Sequence, residues 1–295
     1  MPELSVAVLG TGRMGSAMAE RLAVQGVPVV LYNRTPEPAI ALAERISATV
    51  AGTPAEAASR ATVVISMVAD DVAVRDLYDG PDGVAAGMRA GAVAVDMSTV
   101  LPDTIRFLAT SIRAAGAGIL DAPVSGSVAS TLAGELTIMV GGEAADLERA
   151  RPVLDRLARR VFHLGPLGTG AAMKLAVNTV IFGLNGALAE GLVLAERNGI
   201  DRALAYDVLA ASAAGAPYVG YKRAAFVDPE GTAVAFSLAL AEKDLHLIRQ
   251  LAEASGTAMP QTAVNLDLIR AAERSVGDAT DVSMVASHLR EEGRR

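Results

Sequence analysis

Short apolar runs rich in β-branched residues alternate with longer mixed stretches through the first half of the chain. Such runs predict buried strands, and the Ala-, Arg- and Glu-rich stretches between them have the length of helices. The predicted strands lie at residues 6–9, 27–31, 63–67, 93–96, 119–121, 136–140 and 160–164. Alternation of strands and helices predicts an α/β domain with a doubly wound, mostly parallel sheet.

The pattern changes after residues 165–168, a Gly-Pro-Leu-Gly segment. Residues 170–198 predict one long helix, with Gly199 as its stop and Asp201 as the N-cap of the next helix. Everything that follows predicts helix and loop. We therefore expect an α/β domain at residues 1–165 and an all-helical domain at 166–295, with the long helix at their junction.

Composition narrows the classes of function. The 295-residue chain has 52% hydrophobic residues and a net charge of -7, with no basic stripe, which argues against a nucleic-acid partner. It has no cysteine, and its three histidines lack metal-ligand spacing, so neither disulfides nor a metal site are expected. The long apolar helix is interrupted by Asn178, Asn185 and Glu190, which favours a buried helix over a membrane span. A soluble, cytoplasmic protein is expected.

A G-x-G-x-x-G motif at residues 10–15 follows the first predicted strand directly and opens a helix. In this context Gly10 permits a tight turn, Gly12 lets the backbone approach a pyrophosphate, and Gly15 allows close helix–strand packing. The free N–H groups of the helix start would hold the phosphates. The motif predicts a Rossmann-type dinucleotide site whose contacts include Thr11, Arg13 and Met14 as well as the glycines. A ligand-free glycine turn is the alternative.

The end of the second strand carries Asn33, Arg34 and Thr35. A site that prefers NAD usually has an acidic residue here to hold the ribose 2′-hydroxyl. A cation and neutral donors suit a 2′-phosphate instead, so we predict NADP (NADPH) as the cofactor, with NAD as a weaker alternative. A solvated Arg34 stacking near the adenine is the other interpretation.

Charged and polar residues interrupt apolar helix faces at two places. Lys174 and Asn178 share one face of the long helix among small or apolar neighbours, and partial burial there would lower an amine pKa towards a useful range. Lys243 and Asp244 stand where the period of a later helix demands apolar residues. Each set predicts a cleft-facing site, and the alternative in each case is an ordinary surface residue. The Gly/Ser-rich turn at 121–127 is on physics alone only a loop.

These motifs together resemble the β-hydroxyacid dehydrogenase family, which includes 3-hydroxyisobutyrate dehydrogenase and the glyoxylate/succinic semialdehyde reductases. The resemblance covers nearly the whole chain, in order. The matching segments are residues 8–15, 96–100, 121–126, 134–142, 170–178 and 243–245.

The resemblance implies an oxidoreductase that acts on a small β-hydroxyacid or semialdehyde-type carboxylate, and it implies roles for single residues. Lys174 would be the general acid/base and Asn178 would orient the reacting oxygen. Ser125 and Gly126 would bind the substrate carboxylate, with Ser127 beside them. The remaining predicted contacts are Met67, Val68, Thr99 and Lys243 for the cofactor, and Phe236 and Asp244 for the substrate.

Two segments depart from the family pattern. Ser127 replaces a usual glycine, and the stretch with Tyr218 and Tyr221 lacks the commoner residues, so the pocket can differ in shape. The alternatives are an imine reductase or reductive aminase, in which the lysine is replaced, and a non-catalytic cofactor-binding module. Small residues along the long helix, Gly183, Gly186 and Gly191, predict a homodimer or a higher homo-oligomer.

Overall fold

A computed structural model describes residues 4–292. In this range the strands are β1 (Val6–Leu9), β2 (Val29–Tyr32), β3 (Thr49–Val50), β4 (Val63–Ser66), β5 (Val93–Asp96), β6 (Gly118–Asp121), β7 (Val124–Ser125), β8 (Leu136–Gly142) and β9 (Ala158–His163). The helices of the α/β part are α1 (Arg13–Val24), α2 (Pro36–Ile46), α3 (Pro54–Ser59), α4 (Asp71–Tyr78), α5 (Val84–Gly87), α6 (Pro102–Ala114), α7 (Val128–Ala133) and α8 (Ala144–Leu157). The remaining helices are α9 (Thr169–Arg197), α10 (Arg202–Ala211), α11 (Pro217–Val227), α12 (Leu238–Ser255), α13 (Pro260–Val276), a 3-10 helix (Val282–Met284) and α14 (Val285–Glu292).

The sheet has the order β3-β2-β1-β4-β5-β6-β8-β7, and β9 pairs with β8. The strands from β3 to β6 pair in parallel, whereas β8 runs antiparallel to β6. Its first six strands have the doubly wound order in which ligands bind beyond the carboxyl ends of the strands. The predicted Rossmann-type sheet followed by a helical domain is confirmed.

Alternate strand residues point to opposite faces of the sheet, and each face is covered by helices. Val6 and Val8 belong to one core with residues of α1, α2 and α8. Ala7 and Leu9 belong to a second core with residues of α3, α4, α5 and α6. Continuous apolar strands are what a parallel sheet covered on both faces requires.

The chain divides into two compact units, the first ending at Lys174 and the second beginning at Leu175. The helix α9 contains this boundary, and it ends at Arg197, close to the predicted stop. Gly199 has φ +83°, a left-handed conformation that glycine adopts without strain. Asp201 then accepts a hydrogen bond from the Leu204 N–H (3.0 Å) and caps α10, as predicted.

Among the described residues, α9 alone is long and apolar enough to pass a length-and-composition test for a membrane span. The core helix of a soluble protein passes the same test, so this finding is weak evidence for a span. Phe182, Leu188 and Leu192 of α9 are buried, and Asn185 donates to the Val282 carbonyl (3.2 Å). These contacts show that one face of α9 packs within the helical unit.

Candidate active site

The glycine-rich turn between β1 and α1 packs too tightly to admit side chains at two of its glycines. Gly10 has φ +97°, and a Cβ there would lie 2.3 Å from the Met67 carbonyl oxygen. A Cβ at Gly15 would lie 1.9 Å from the Gly10 carbonyl oxygen. At Gly12, by contrast, a Cβ would meet nothing within 4 Å. The turn therefore keeps an open face at the one glycine that the motif assigns to a pyrophosphate.

The polar groups of this turn fit an anionic ligand. No side chain caps the N-terminus of α1 at Gly12, and the first turn of α1 has no acidic residue. The Thr11 hydroxyl is buried and has no hydrogen-bond partner in the structure. Helix N–H groups and an unsatisfied hydroxyl are donors that a phosphate can use. The residues present thus fit the dinucleotide predicted from the motif.

Asn33 connects this turn to the end of β2. Its Oδ1 accepts from the Thr11 N–H (3.0 Å), and its Nδ2 donates to the Thr35 carbonyl (2.7 Å). Both ends of the amide are thus engaged with the backbone, so Asn33 fixes the turn in place. Arg34 and Thr35 are exposed. The predicted contacts of these three residues with the cofactor stay predictions.

A buried polar network that the sequence did not reveal lies at the ends of β4 and β5. The Asp96 carboxylate accepts from the Ser66 hydroxyl (2.5 Å) and from the Ser98 N–H (3.1 Å). The Ser98 hydroxyl in turn accepts from the Val68 N–H (3.0 Å). Burial raises the pKa of Asp96 to about 7, against the hydrogen bonds from Ser66 and Ser98, which lower it. The network fixes the backbone at Val68, a predicted cofactor contact, and at Ser98, which precedes the predicted contact Thr99.

This raised pKa predicts a pH dependence of stability. Below its ordinary pKa of 3.8 the Asp96 carboxyl is protonated in both states, and between that value and about 7 the folded state alone retains the proton. The stability that the protonated Asp96 contributes is therefore fully present below pH 3.8 and is lost as the pH rises through about 7. Asp96→Asn cannot ionise, so the wild-type melting temperature should fall relative to that of Asp96→Asn over this range. Asp267→Asn, at an exposed aspartate, is the control. If the melting temperatures of wild type and Asp96→Asn change in parallel with pH, the raised pKa of Asp96 is contradicted.

Lys174 and the predicted carboxylate-binding turn come together in the first unit. The Lys174 ammonium donates to the Val124 carbonyl (2.7 Å), and Val124 precedes Ser125 in β7. Gly126 has φ +146°, and a Cβ there would lie 2.7 Å from Leu136 Cδ2. Glycine is therefore required at the position where the resemblance implies substrate binding.

The hydroxyl of Ser127, the departure from the family pattern, has a structural role. It accepts from the Ser130 N–H (3.2 Å) as the N-cap of α7. The Thr131 hydroxyl of α7 donates to the Ser127 carbonyl (2.9 Å) and lies 3.8 Å from the Met14 sulfur of α1. The predicted substrate contact of Ser127 stays a prediction, and its side chain adds a cap to the turn.

Asn178, Lys243 and Asp244 come together in the second unit. The Asn178 Nδ2 donates to Asp244 Oδ2 (2.7 Å), and the Lys243 ammonium pairs with Asp244 Oδ1 (2.9 Å). Asp244 is 2% exposed, so water cannot solvate its carboxylate, and Asn178 and Lys243 interact with it instead. The amide of Asn178 thereby has a fixed orientation one helical turn after Lys174.

The aromatic residues predicted near the substrate differ in their surroundings. The Phe236 ring lies 6.2 Å from the Phe182 ring of α9, centroid to centroid. Tyr218 is buried and donates to Asn185 Oδ1 (2.7 Å), which makes it a core residue of the helical unit. Tyr221 is half exposed and meets the Tyr218 ring edge-on, at 5.5 Å.

Comparison with known proteins agrees with this fold. The model for the NAD binding domain of 6-phosphogluconate dehydrogenase matches residues 5–165. The model described as NAD-binding of NADP-dependent 3-hydroxyisobutyrate dehydrogenase matches residues 168–289. The 3-hydroxyisobutyrate dehydrogenase of Pseudomonas aeruginosa is 35% identical over 89% of this chain and 90% of its own length.

Two further relatives are similar over most of their length. Glyoxylate/succinic semialdehyde reductase 2, chloroplastic, of Arabidopsis thaliana is 31% identical over 97% of this chain and 80% of its own. The solved structure of Psf3 in complex with NADP+ and 2-OPP has a TM-score of 0.89 at 26% identity, covering 96% of this chain and 99% of that one. The chain belongs to the β-hydroxyacid dehydrogenase family, a class of oxidoreductases that bind a nicotinamide cofactor.

Imine reductases, the alternative class, share the fold but are less similar to this chain. An imine reductase from Pseudomonas sp. has a TM-score of 0.65 at 23% identity, over 97% of this chain and 99% of its own. At that identity the likeness shows the fold alone.

Proposed function

We propose that this protein is an NADP-dependent oxidoreductase that interconverts a small β-hydroxyacid and the corresponding semialdehyde-type carboxylate, with Lys174 as general acid/base. The observation that carries the proposal is the hydrogen bond from the Lys174 ammonium to the Val124 carbonyl (2.7 Å). It puts a cation beside Ser125 and Gly126, the residues with which the family resemblance binds a carboxylate. The relatives named for hydroxyacids and semialdehydes support the same substrate class.

The proposed chemistry uses groups of this chain at defined atoms. When bound, the reduced nicotinamide supplies a hydride to the carbonyl carbon of the substrate. The Lys174 ammonium stabilises the negative charge that develops on the carbonyl oxygen and donates its proton to it. In the reverse direction the neutral amine removes the proton of the hydroxyl group.

Three further groups would hold the substrate during this transfer. The Ser125 hydroxyl and the Gly126 N–H would bind the carboxylate. Asn178, oriented by Asp244, would align the reacting oxygen. Such alignment lowers the barrier because the reacting groups are held before the reaction begins.

A substrate screen tests the proposal against its two alternatives. NADPH oxidation is followed with glyoxylate, succinic semialdehyde and a cyclic imine in parallel. Turnover of the aldehyde acids supports a hydroxyacid dehydrogenase, whereas turnover of the imine alone would contradict it. NADPH binding without turnover of any carbonyl substrate, in both directions, would favour the non-catalytic module.

The preference for NADP rests on Arg34, which is exposed at the end of β2. Because a charge-assisted contact with a 2′-phosphate contributes about 1–3 kcal/mol, Arg34→Ala should raise the KM for NADPH roughly 5- to 150-fold. The KM for NADH should change little. Arg89→Ala, at another exposed arginine of the same unit, is the matched control. Equal effects on the two cofactors would exclude the assignment.

We also propose a homodimer or a higher homo-oligomer, and a cytoplasmic location. The glycines of α9 that predicted an oligomer face other residues of the same chain. A Cβ at Gly186, for example, would lie 3.5 Å from Asn265 Oδ1 of α13. The support for an oligomer is that apolar side chains of α9, among them Val180 and Leu194, are exposed and could pack against a second chain. Light scattering of the purified protein measures its mass.

A further inference from the structure

A single buried carboxylate satisfies backbone donors at the start of α9. Asp121, the last residue of β6, is 1% exposed. Its Oδ1 accepts from the Gly168 N–H (2.8 Å) and its Oδ2 from the Ala171 N–H (2.7 Å). The first N–H groups of a helix have no partner within the helix, and a negative charge is favourable at that end. Asp121 thus fastens a helix that lies about fifty residues further along the chain.

Two glycines of the sequence motifs leave room for this carboxylate. A Cβ at Gly141 would lie 2.4 Å from Asp121 Oδ1. A Cβ at Gly170 would lie 2.3 Å from the Met139 carbonyl oxygen and 3.0 Å from Asp121 Oδ2. Gly141 and Gly170 belong to segments that resemble the family, yet the sequence assigned them no role. The structure accounts for Gly141 chiefly as space for the Asp121 carboxylate, and for Gly170 as space for the Met139 carbonyl and for Asp121.

Asp121 is close in sequence to Val124, one partner of the Lys174 contact, and it binds the first turn of the helix that carries the other. Ala171 is three residues before Lys174, and Val124 is three residues after Asp121. Fixing the first turn of α9 against the end of β6 therefore fixes the ammonium against the Val124 carbonyl, where the distance is 2.7 Å. We infer that Asp121 is the positioning residue of Lys174, an inference that rests on the proposed role of Lys174 as acid/base.

The chemistry of a carboxylate suits this role better than that of an amide. Both oxygens of Asp121 accept from an N–H, whereas an asparagine would turn an NH2 group towards one of the two donors. Burial raises the pKa of Asp121, and the N–H groups of Gly168 and Ala171 oppose that rise. Asp121→Asn therefore keeps the volume of the side chain and breaks one of its two hydrogen bonds to α9.

Asp146 of α8, which packs against the same strand β6, offers a matched control. It is a buried carboxylate that accepts from the Ile119 N–H of β6 (3.3 Å), and Gly118 leaves the space for it. It pairs with Arg149 on its own helix, α8. Asp146→Asn thus perturbs the packing of β6 in the same way, without touching the start of α9.

The test compares Asp121→Asn and Asp146→Asn in carbonyl reduction as a function of pH, with NADPH affinity and melting temperature measured in parallel. We expect Asp121→Asn to lower kcat about 10- to 100-fold and to move the limb of the pH–rate profile that Lys174→Ala abolishes. NADPH affinity should stay within about twofold, since the glycine-rich turn is untouched. Asp146→Asn should lower the melting temperature alone.

A double variant separates positioning from general damage. In the Lys174→Ala background, Asp121→Asn should cause no further loss of kcat, because the group that it positions is gone. A full additional loss, or a single variant that behaves like Asp146→Asn, would overturn the inference. If Asp121→Asn does not fold, Asp121→Ser, which keeps one acceptor, is measured in the same way. If Lys174→Ala itself retains activity, the proposed function has failed, and that result is distinct from the failure of Asp121 alone.

Discussion

Lys174→Ala is expected to lower kcat for carbonyl reduction by about 10²- to 10⁴-fold, the usual contribution of a positioned acid/base. The ammonium that donates to the Val124 carbonyl is lost, and no proton reaches the developing oxyanion from this position. The dissociation constant for NADPH should remain nearly unchanged, because the predicted cofactor contacts at Gly10–Gly15 and Asn33–Thr35 stay intact. Stopped-flow or steady-state oxidation of NADPH measures kcat, and fluorescence titration measures binding.

Asn178→Ala provides the comparison on the same helix. This residue is proposed to orient the substrate without transferring a proton, so its loss should lower kcat less than the loss of Lys174 does. Its partner Asp244 remains paired with Lys243 in that variant. Equal losses for the two variants would contradict the separation of their roles.

Lys222→Met is expected to lower the free energy of unfolding by about 3–5 kcal/mol, because it leaves a buried carboxylate without its cation. Lys222 is 3% exposed, and its ammonium donates to both oxygens of Asp281 (2.7 and 2.8 Å). Asp281 also accepts from the Ala235 N–H (2.9 Å) and the Ser283 N–H (3.0 Å), so it links three segments of the helical unit. Burial alone would raise the pKa of Asp281, yet Lys222 and these donors lower it overall.

The neighbouring residue supplies the control for this prediction. Arg223 pairs with Asp207 (2.6 Å), but both side chains are about half exposed, so Arg223→Ala should leave the free energy of unfolding nearly unchanged. Replacing both members of the buried pair, as Lys222→Met with Asp281→Asn, should recover part of the loss, because no charge is left unpaired and the amide oxygen can still accept from the backbone. Chemical denaturation of the four proteins measures each value. A Lys222→Met protein as stable as Arg223→Ala would show that the buried pair is not needed.

Features governed by local pattern could be predicted from the sequence. The central strands are short runs of β-branched residues buried on both faces, and that composition identifies them without knowledge of their partners. The glycine motif carries its own context, a strand before it and a helix after it. The long helix and its stop at Gly199 follow from an apolar stretch that ends in a residue able to adopt positive φ.

Features that depend on residues far along the chain could not be predicted from the sequence. The two-residue strands β3 and β7 exist because of their pairing with β2 and β8, and nothing in their own residues identifies them. Asp96 and Asp121 end predicted strands, but their hydrogen-bond partners lie up to fifty residues away. Lys222 looks like any helix lysine until Asp281 is seen beside it. For Asp96 and Asp121, the sequence offered one signal, which is a polar residue at the end of a buried strand.

Lys174→Arg distinguishes a residue that transfers a proton from one that supplies only a positive charge. Arginine keeps the positive charge, but its guanidinium does not give up a proton at neutral pH, so it cannot serve as a base for hydroxyacid oxidation or as a normal acid for carbonyl reduction. Steady-state rates with NADPH and succinic semialdehyde or glyoxylate, and with NADP and the corresponding hydroxyacid, compare the variant with wild type. We predict that Lys174→Arg loses turnover about as severely as Lys174→Ala, with NADPH binding retained. Near wild-type carbonyl reduction by Lys174→Arg would contradict the proposed mechanism.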